Sequence, residues 1–257
     1  MSTTIRGSLR TATSPSNCIE SSPVAARLKR ALLQAFFTAY YPYARLLTWL
    51  MPTLTLDGKT LHIPPAVYKP LENEHHYRDF VQSGDTVCDL GSGSGVVSAF
   101  VAERAARVVA LDIGPEAVAA TAANCERLGL ANVQVQQSDM FAATEERFDV
   151  ICANPPFVEI PMRGADKQWA TSVTLLNRLF TEGRDHLRPG GSIVVLYPRR
   201  KSSRLQEFAR EAGFALVASR AVGPKSVKLW LLCGLYLQLF FDAHFFVFRR
   251  IDESTHC

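Results

Sequence analysis

Residues 87–95 read Val-Cys-Asp-Leu-Gly-Ser-Gly-Ser-Gly, and this stretch decides the fold of the 257-residue chain. An apolar strand runs into a loop with glycine at every second position, and the apolar run that begins at Val96 then opens a helix. Glycine lets a backbone adopt positive φ and approach a ligand closely, while a helix N-terminus offers unpaired N–H groups. The stretch therefore predicts a nucleotide-binding corner at the end of a buried strand.

From residue 85 onward, apolar strand-like runs alternate with amphipathic helices. Strands are predicted over 86–90, 107–111, 132–136, 148–153, 192–197, 214–221 and 243–251. Such alternation is typical of the α/β class, with a doubly wound and mostly parallel sheet, here of seven strands, and right-handed crossovers. The triplet Pro189-Gly190-Gly191 is predicted to follow a helix over 172–187 and to stop it.

The segments that lie outside this regular pattern set the predicted domain boundaries. Residues 1–22 are rich in Ser and Thr and are predicted to be a disordered tail, with a transit peptide as the alternative. Residues 23–80 are predicted to form a cap made of a helical extension and a hairpin. Residues 81–257 are predicted to form the main domain, with an apolar helical insertion over 225–242.

The apolar segments 24–51 and 227–241 leave several functions open. The second has about 15 residues, fewer than the ~20 that a spanning helix needs, so no transmembrane span is predicted. Each segment could cover the core, form a homodimer interface or contact a membrane surface. The two segments could also pair with each other.

Charge and cysteine content narrow the functional class only a little. The chain has 28 Lys and Arg against 24 Asp and Glu, a net charge of +4 that permits an anionic partner but is weak evidence for nucleic-acid binding, which usually brings a concentrated basic face. The six cysteines form no C-x-x-C pair, which predicts reduced thiols in the cytoplasm and no metal site.

The glycine spacing and one acidic residue indicate which nucleotide the corner accepts. The loop reads G-x-G-x-G, with Val96 where a dinucleotide fingerprint has its third glycine. Asp89 precedes the loop, and its carboxylate would repel a pyrophosphate. A carboxylate at this place suits a ligand with an ammonium group, such as the methionine part of S-adenosylmethionine.

Polar residues follow the next two predicted strands. Asp112 ends the second strand, where a carboxylate can accept both ribose hydroxyls; the alternative is an N-cap for the helix that follows. Ser138-Asp139-Met140 follows the third strand, where a short polar side chain can accept the adenine amino group and Met140 can lie against the ring. The alternative for this triplet is a plain turn.

The fourth strand ends in Asn154-Pro155-Pro156-Phe157. Two prolines stiffen the backbone and leave their carbonyls as free acceptors, and Asn154 adds a side-chain carbonyl. Phe157 offers a flat face on which a planar amide or base can stack. Together these residues predict a site that orients an N–H₂ group for direct methyl transfer, in which positioning supplies most of the catalysis.

Together, residues 89–95, Asp112, Asp139 and 154–157 resemble class I S-adenosylmethionine-dependent methyltransferases of the N-methylating type. Residues 67–73 also resemble the segment that precedes the glycine corner in HemK-like protein glutamine methyltransferases. The chain departs from that group at Asn73 and Glu74, where the group has Asp and Thr, and at Phe157, where Tyr is more usual. The resemblance implies that Asn154, Pro155, Pro156 and Phe157 are catalytic. It implies cofactor contacts from Tyr68, Asp89, Gly91, Ser92, Gly93, Gly95, Asp112, Ile113, Ser138, Asp139, Met140 and Asn154.

Three classes of acceptor remain open at the level of sequence. The segment from Tyr68 to Glu72 favours a protein glutamine amide. Phe157 and the basic run 199–204 favour an exocyclic base amine in RNA or DNA. The two apolar segments favour a small planar or amphipathic molecule.

Overall fold

The computed structural model describes residues 23–70, 73–156, 175–223, 227, 231, 234–236 and 242–251. The predictions made for the tail 1–22, for Phe157 and for most of the insertion 225–242 concern residues outside these ranges.

The elements follow one another in an order that begins with a helix and a hairpin. The helices are α1 (Pro23–Leu50), α2 (Val96–Val101), α3 (Pro115–Arg127), α4 (Leu175–Gly183) and α5 (Ser202–Glu211), with 3₁₀ helices at Glu74–Phe80 and Arg199–Lys201. The hairpin strands are β1 (Thr53–Leu56) and β2 (Lys59–His62). The main sheet contains β3 (Thr86–Leu90), β4 (Arg107–Asp112), β5 (Val133–Gln137), β6 (Phe148–Ala153), β7 (Leu187–Pro198), β8 (Phe214–Ala221) and β9 (Ala243–Arg250).

The seven-stranded, mostly parallel sheet predicted from the sequence is confirmed. Its strand order is β5-β4-β3-β6-β7-β9-β8. The pairs among β3 to β7 are parallel, and β9 runs antiparallel to both of its neighbours. The chain moves outward from β3 to β5 and then returns to β6 on the other side of β3. This reversal is a topological switch point, where open α/β sheets bind their ligands beyond the carboxyl ends of the strands.

Hydrophobic layers cover both faces of the sheet and support the switch point. On one face, α4 and α5 bury residues such as Leu179 and Leu205 against the strands. On the other face, Tyr77 of the first 3₁₀ helix and Val97 of α2 are buried. The hairpin packs Leu61 and other apolar residues against α2 and α3. Strand β3 is therefore buried along its whole length, which holds the loop that follows it in a fixed position.

The prediction that Pro189-Gly190-Gly191 ends a helix is wrong. Helix α4 ends at Gly183, and β7 already begins at Leu187, which is buried and pairs with Phe148. The register then shifts, so that the triplet bulges out of the strand before Ser192 pairs with Val150. A Cβ on Gly191 would lie 3.0 Å from the carbonyl oxygens of Asp149 and Arg188, so the bulge requires glycine there.

The N-terminal helix is continuous through Pro42 and contacts the described part of the C-terminal insertion. The hydroxyls of Tyr40 and Tyr43 donate to the carbonyls of Tyr236 and Leu235 at 2.9 and 2.8 Å. The two apolar segments therefore pair, one of the alternatives left open by the sequence. None of the helices in the described ranges combines the length and the hydropathy that a bilayer crossing requires.

Candidate functional site

Four strand ends lie in register at one edge of the sheet, which we call the carboxyl edge: the residues that directly end or follow β3, β4, β5 and β6. Leu90 pairs with Leu111 on one side and with Ala153 on the other. Asp112 pairs with Gln137 on the next strand. The register therefore brings the glycine loop, Asp112, Ser138 and Asn154 to the same edge, as the order of motifs predicted.

Backbone hydrogen bonds hold the glycine loop against β4. The N–H groups of Gly91 and Ser92 both donate to the carbonyl of Leu111, at 2.8 and 3.0 Å. Gly91, Gly93 and Gly95 all have positive φ. A Cβ on Gly95 would lie 3.0 Å from Cγ2 of Thr121 on α3, so this position combines a left-handed backbone with a close approach. A Cβ on Gly91 would meet nothing within 4 Å, which leaves that part of the loop open to a ligand.

The carboxylate of Asp112 connects the glycine loop to the start of α3. Its Oδ2 accepts the N–H of Gly93 at 2.9 Å, and its Oδ1 accepts the N–H of Gly114 at 2.8 Å. Partial burial raises its pKa, and these backbone donors oppose the rise. Gly114 is the N-cap of α3, so the alternative in which Asp112 caps this helix is wrong. Each carboxylate oxygen can accept a further hydrogen bond, so a ribose diol remains within its capacity.

Asp89 lies beneath the loop. It is 2% exposed, and its Oδ2 accepts both the N–H and the hydroxyl of Ser98, at 2.9 and 2.6 Å. Burial raises its pKa to about 6, and the nearby charge of Asp112 adds to the rise. The contact with Ser98 anchors α2 to β3 and was not foreseen from the sequence, whereas the predicted contact with a cofactor ammonium stays a prediction.

The residues that follow β5 form a tight turn. The hydroxyl of Ser138 is buried and accepts the N–H of Ala143 at 3.0 Å, while Met140 has a φ of 54° and is also buried. The exposed carboxylate of Asp139 pairs with Arg178 at 2.8 Å. The turn anticipated as an alternative is thus present, and its three residues lie beside Asp112, where the adenine contact was predicted. Ile113, also predicted to contact the cofactor, exposes its side chain.

Asn154 has a partner that sequence reasoning missed. Its Nδ2 donates to Oε1 of Glu74 at 3.0 Å, and Oε2 of Glu74 accepts the N–H of Asn73 at 3.0 Å. Glu74 is buried, and this burial raises its pKa to about 7. Because Nδ2 is directed at Glu74, the amide presents Oδ1 as its acceptor. Glu74 stands where the sequence departs from the HemK-like pattern, and that departure was the one available signal.

Tyr77, one turn farther along the same 3₁₀ helix, supports the end of β6. Its hydroxyl donates to the carbonyl of Ala153 at 2.6 Å and accepts the N–H of Leu196 at 2.9 Å. The side chain is fully buried. Tyr77 therefore fixes the backbone directly before Asn154, and it too was absent from the predicted site.

The segment 64–70 lies over the glycine loop. Cγ1 of Val67 lies 3.9 Å from the point that a Cβ on Gly93 would occupy. Lys69 is buried and donates to the carbonyls of Met51 and Thr53, at 2.5 and 3.0 Å, which ties the segment to the hairpin. Tyr68, between these residues, is half-buried. Tyr68 thus directly follows the residue that approaches the loop, and its contact with a cofactor stays a prediction.

The structure brings together all the predicted site residues that it describes. Pro155 is buried and Pro156 is half-buried directly after Asn154. Phe157 lies outside the described residues. The arrangement combines an open glycine loop, a half-buried carboxylate at the end of β4, and an amide whose orientation is set by a buried glutamate.

A family model described as "Methyltransferase small domain" matches residues 77–212. Curated relatives include a release factor glutamine methyltransferase of Cereibacter sphaeroides, 33% identical over 149 residues that cover 52% of this chain and 54% of the relative. They also include ribosomal RNA small subunit methyltransferase C of Chromohalobacter salexigens, 33% identical over 132 residues that cover 49% of this chain and 37% of the relative. The chain therefore spans about half or less of the length of these relatives.

Solved structures show the same fold. The ribosomal protein L11 methylase of Lactobacillus delbrueckii subsp. bulgaricus superposes with a TM-score of 0.56 at 16% identity, and the match covers 77% of this chain and 89% of that one. At this identity the likeness concerns the fold alone.

Proposed function

The chain belongs to the methyltransferase small domain family, and on that premise we propose that it transfers a methyl group from S-adenosylmethionine to a planar nitrogen. The observation that carries this proposal is the hydrogen bond between Asn154 Nδ2 and Glu74. It selects the orientation in which Asn154 Oδ1 is an acceptor, and an acceptor is what an N–H₂ group requires.

The carboxyl edge fits the cofactor in shape and chemistry. Gly91 leaves open space beside the loop, and the half-buried Asp112 has acceptor capacity for a ribose diol. We propose that Asp112 and Ile113 hold the ribose end, that Ser138, Asp139 and Met140 contact the adenine, and that residues 89–95 with Tyr68 surround the methionine part. S-adenosylmethionine, when bound, supplies an electrophilic methyl group.

Asn154 and Pro155 orient the acceptor nitrogen in this proposal. Oδ1 of Asn154 and the carbonyl of Pro155 each accept one N–H of the target, and Phe157 stacks on its planar group. Two acceptors on these hydrogens favour a pyramidal nitrogen whose lone pair faces the methyl donor. Positioning supplies most of the rate in such an in-line transfer, and the excess proton leaves the nitrogen after the new bond has formed.

The amide of a protein glutamine is the acceptor that we place first. The segment 67–73 resembles that of glutamine methyltransferases, and Val67 at its start lies 3.9 Å from the point that a Cβ on Gly93 would occupy. An exocyclic amine of adenine or guanine in RNA or DNA is the second candidate, because Arg199, Arg200 and Lys201 are exposed after β7. A small planar or amphipathic metabolite is the third.

We further propose that residues 81–257 form the catalytic unit, that residues 23–80 cap it, and that it acts in the cytoplasm.

Methyl-labelled S-adenosylmethionine tests the proposal. The protein is incubated with the labelled cofactor and a lysate that is then separated into protein, nucleic-acid and small-molecule fractions. We expect label in one fraction, and in the protein fraction for a glutamine acceptor, with none transferred by the Asn154→Ala variant. Absence of enzyme-dependent label from every fraction, although the protein binds the cofactor, would contradict the proposed transfer.

A further inference from the structure

Helix α1 presents an apolar face to solvent over most of its length. The large apolar or aromatic side chains that share this face are exposed: Val24, Leu28, Leu32, Phe36, Tyr43, Leu46, Trp49 and Leu50. At 3.6 residues per turn they fall within an arc of about 140°. The buried side chains Tyr41, Ala44 and Thr48 lie on the opposite side. We call this exposed arc the outer face of α1.

The first part of α1 is largely exposed to solvent. Among the described side chains from residue 24 to residue 40, none is buried. Leu32 is 63% exposed and Trp49 is 65% exposed. A large exposed apolar surface is typical of a binding site in a folded protein. We therefore expect the outer face to bind another molecule.

Basic residues border the outer face on both sides. Arg27 and Arg45 fall about 40° before the first apolar side chain of the arc, and Lys29 falls about 20° beyond the last one. Arg30 falls on the opposite side of the helix, and the 28 residues of α1 contain no Asp or Glu. Long cationic side chains beside an apolar stripe can extend to lipid headgroups while their stems cover apolar surface.

The C-terminal insertion extends the same apolar surface. Val227, Leu231 and Leu235 are exposed and are spaced by four residues, the spacing of one helix face. The hydroxyl of Tyr43 donates to the carbonyl of Leu235 at 2.8 Å, which joins the insertion to the border of the outer face. A second segment, distant in the sequence, therefore adds exposed apolar side chains and meets the outer face at Tyr43.

Charge distinguishes between the possible occupants of this surface. In a twofold dimer the outer face would meet a copy of itself, and the bordering cations Arg27 and Lys29 would meet a second helix that also contains no Asp or Glu. An anionic lipid surface supplies the missing negative charge and an apolar layer at the same time. At about 42 Å in length and with four charges, α1 suits a position in the plane of the interface.

We propose that the outer face of α1, with the exposed insertion residues, docks the protein on an anionic membrane surface. The apolar side chains enter the boundary between headgroups and acyl chains, Trp49 and Tyr43 lie at headgroup level, and Arg27 and Lys29 contact lipid phosphates. The catalytic unit then acts at the membrane surface, and none of the helices in the described ranges is long and apolar enough to cross it.

Co-sedimentation with vesicles tests the proposal without any assay of turnover. The full chain is mixed with vesicles of phosphatidylglycerol and phosphatidylcholine, or of phosphatidylcholine alone. We expect binding to the anionic vesicles that weakens with added salt. The variant Leu32→Glu/Phe36→Glu should bind at least about tenfold more weakly because it removes inserted apolar surface. Arg27→Gln and Lys29→Gln should each weaken binding about fivefold.

A matched control replaces an exposed apolar residue outside α1. Val217 on β8 is 51% exposed, and Val217→Glu should leave vesicle binding unchanged. Unchanged circular dichroism and thermal midpoint show that each variant is folded. Equal binding by Leu32→Glu/Phe36→Glu and the unsubstituted protein would overturn the proposal. So would a failure to bind anionic vesicles together with a concentration-dependent dimer that this variant abolishes, since a second copy would then occupy the face.

Discussion

The carboxyl edge of the sheet and the outer face of α1 differ in which kinds of side chain they bury and expose. At the carboxyl edge, polar groups are buried or half-buried and are hydrogen-bonded: Asp89 with Ser98, Asp112 with the glycine loop, and Asn154 with Glu74. On the outer face, apolar groups are exposed and bordered by cations. The first region orients small groups by hydrogen bonds. The second suits an extended apolar surface that carries negative charge, so we assign catalysis and location to separate parts of the chain.

Asn154→Ala should have the largest effect on the carboxyl edge. We expect kcat to fall by at least about 100-fold, since this variant loses the proposed acceptor for the target nitrogen. Affinity for S-adenosylmethionine should change by no more than about twofold. Single-turnover transfer and calorimetry measure the two quantities. Asn177→Ala, at an exposed position on α4, is the control and should be neutral; a similar fall in both variants would refute the role of Asn154.

Asp112→Ala should have the second largest effect, which is a loss of affinity for the cofactor. Loss of charge-assisted hydrogen bonds to a ribose should weaken the affinity for S-adenosylmethionine by about 10- to 100-fold. Asp139 is also a proposed cofactor contact, but its carboxylate is exposed and already paired with Arg178, so Asp139→Ala is the comparison and should weaken the affinity much less. Calorimetry that gives the two variants the same affinity would remove the distinction between Asp112 and the other strand-end carboxylates.

Glu74→Gln should have a moderate effect on turnover and a distinct effect of pH on stability. We expect kcat to fall about fivefold, because a glutamine can still accept from Asn154 but no longer carries charge. Burial raises the pKa of Glu74 from 4.5 to about 7, so the native protein holds this proton more tightly than the unfolded chain does. The free energy of unfolding of the unsubstituted protein should therefore decrease as the pH rises from about 4.5 to about 7.

Burial also raises the pKa of Asp89, from 3.8 to about 6. Asp89 therefore also lowers the free energy of unfolding as the pH rises through that range. Glu74→Gln should remove the decrease between pH 6 and pH 7 and leave the part that belongs to Asp89. Urea unfolding at pH 5, 6 and 7.5 measures this difference. If the variant and the unsubstituted protein showed parallel profiles, Glu74 would not carry the raised pKa.

Leu32→Glu should have the smallest effect of all on catalysis. Leu32 is 63% exposed on the outer face, so kcat on an acceptor in solution, without membranes, should stay within about twofold. Steady-state kinetics on that acceptor provide the measurement. A large fall in kcat would show that the two regions are coupled and would break the comparison between them.

Much of the carboxyl edge was predictable because its residues directly follow strands. Parallel strands bring their ends to one edge, so the order of Gly91, Asp112, Ser138 and Asn154 in the sequence predicted their proximity. Glu74 and Tyr77 act across long sequence separations, and no local pattern shows which strand end a 3₁₀ helix will meet. The bulge at 189–191 was not predicted because its Pro-Gly-Gly triplet is also typical of a helix stop. In the structure, Gly191 is required by the close approach of the backbone instead. The exposure of the outer face of α1 could not be predicted either, because it depends on which residues the tertiary packing covers.

The atom that receives the methyl group tests the central claim most directly. The protein is incubated with ¹³C-methyl S-adenosylmethionine and the acceptor fraction that takes up label, and the chemical shift of the new methyl group is measured by NMR. The account predicts a methyl bonded to nitrogen, and no such signal with the Asn154→Ala variant. A methyl bonded to oxygen, carbon or sulfur, or an equal nitrogen-bonded signal from Asn154→Ala, would contradict it.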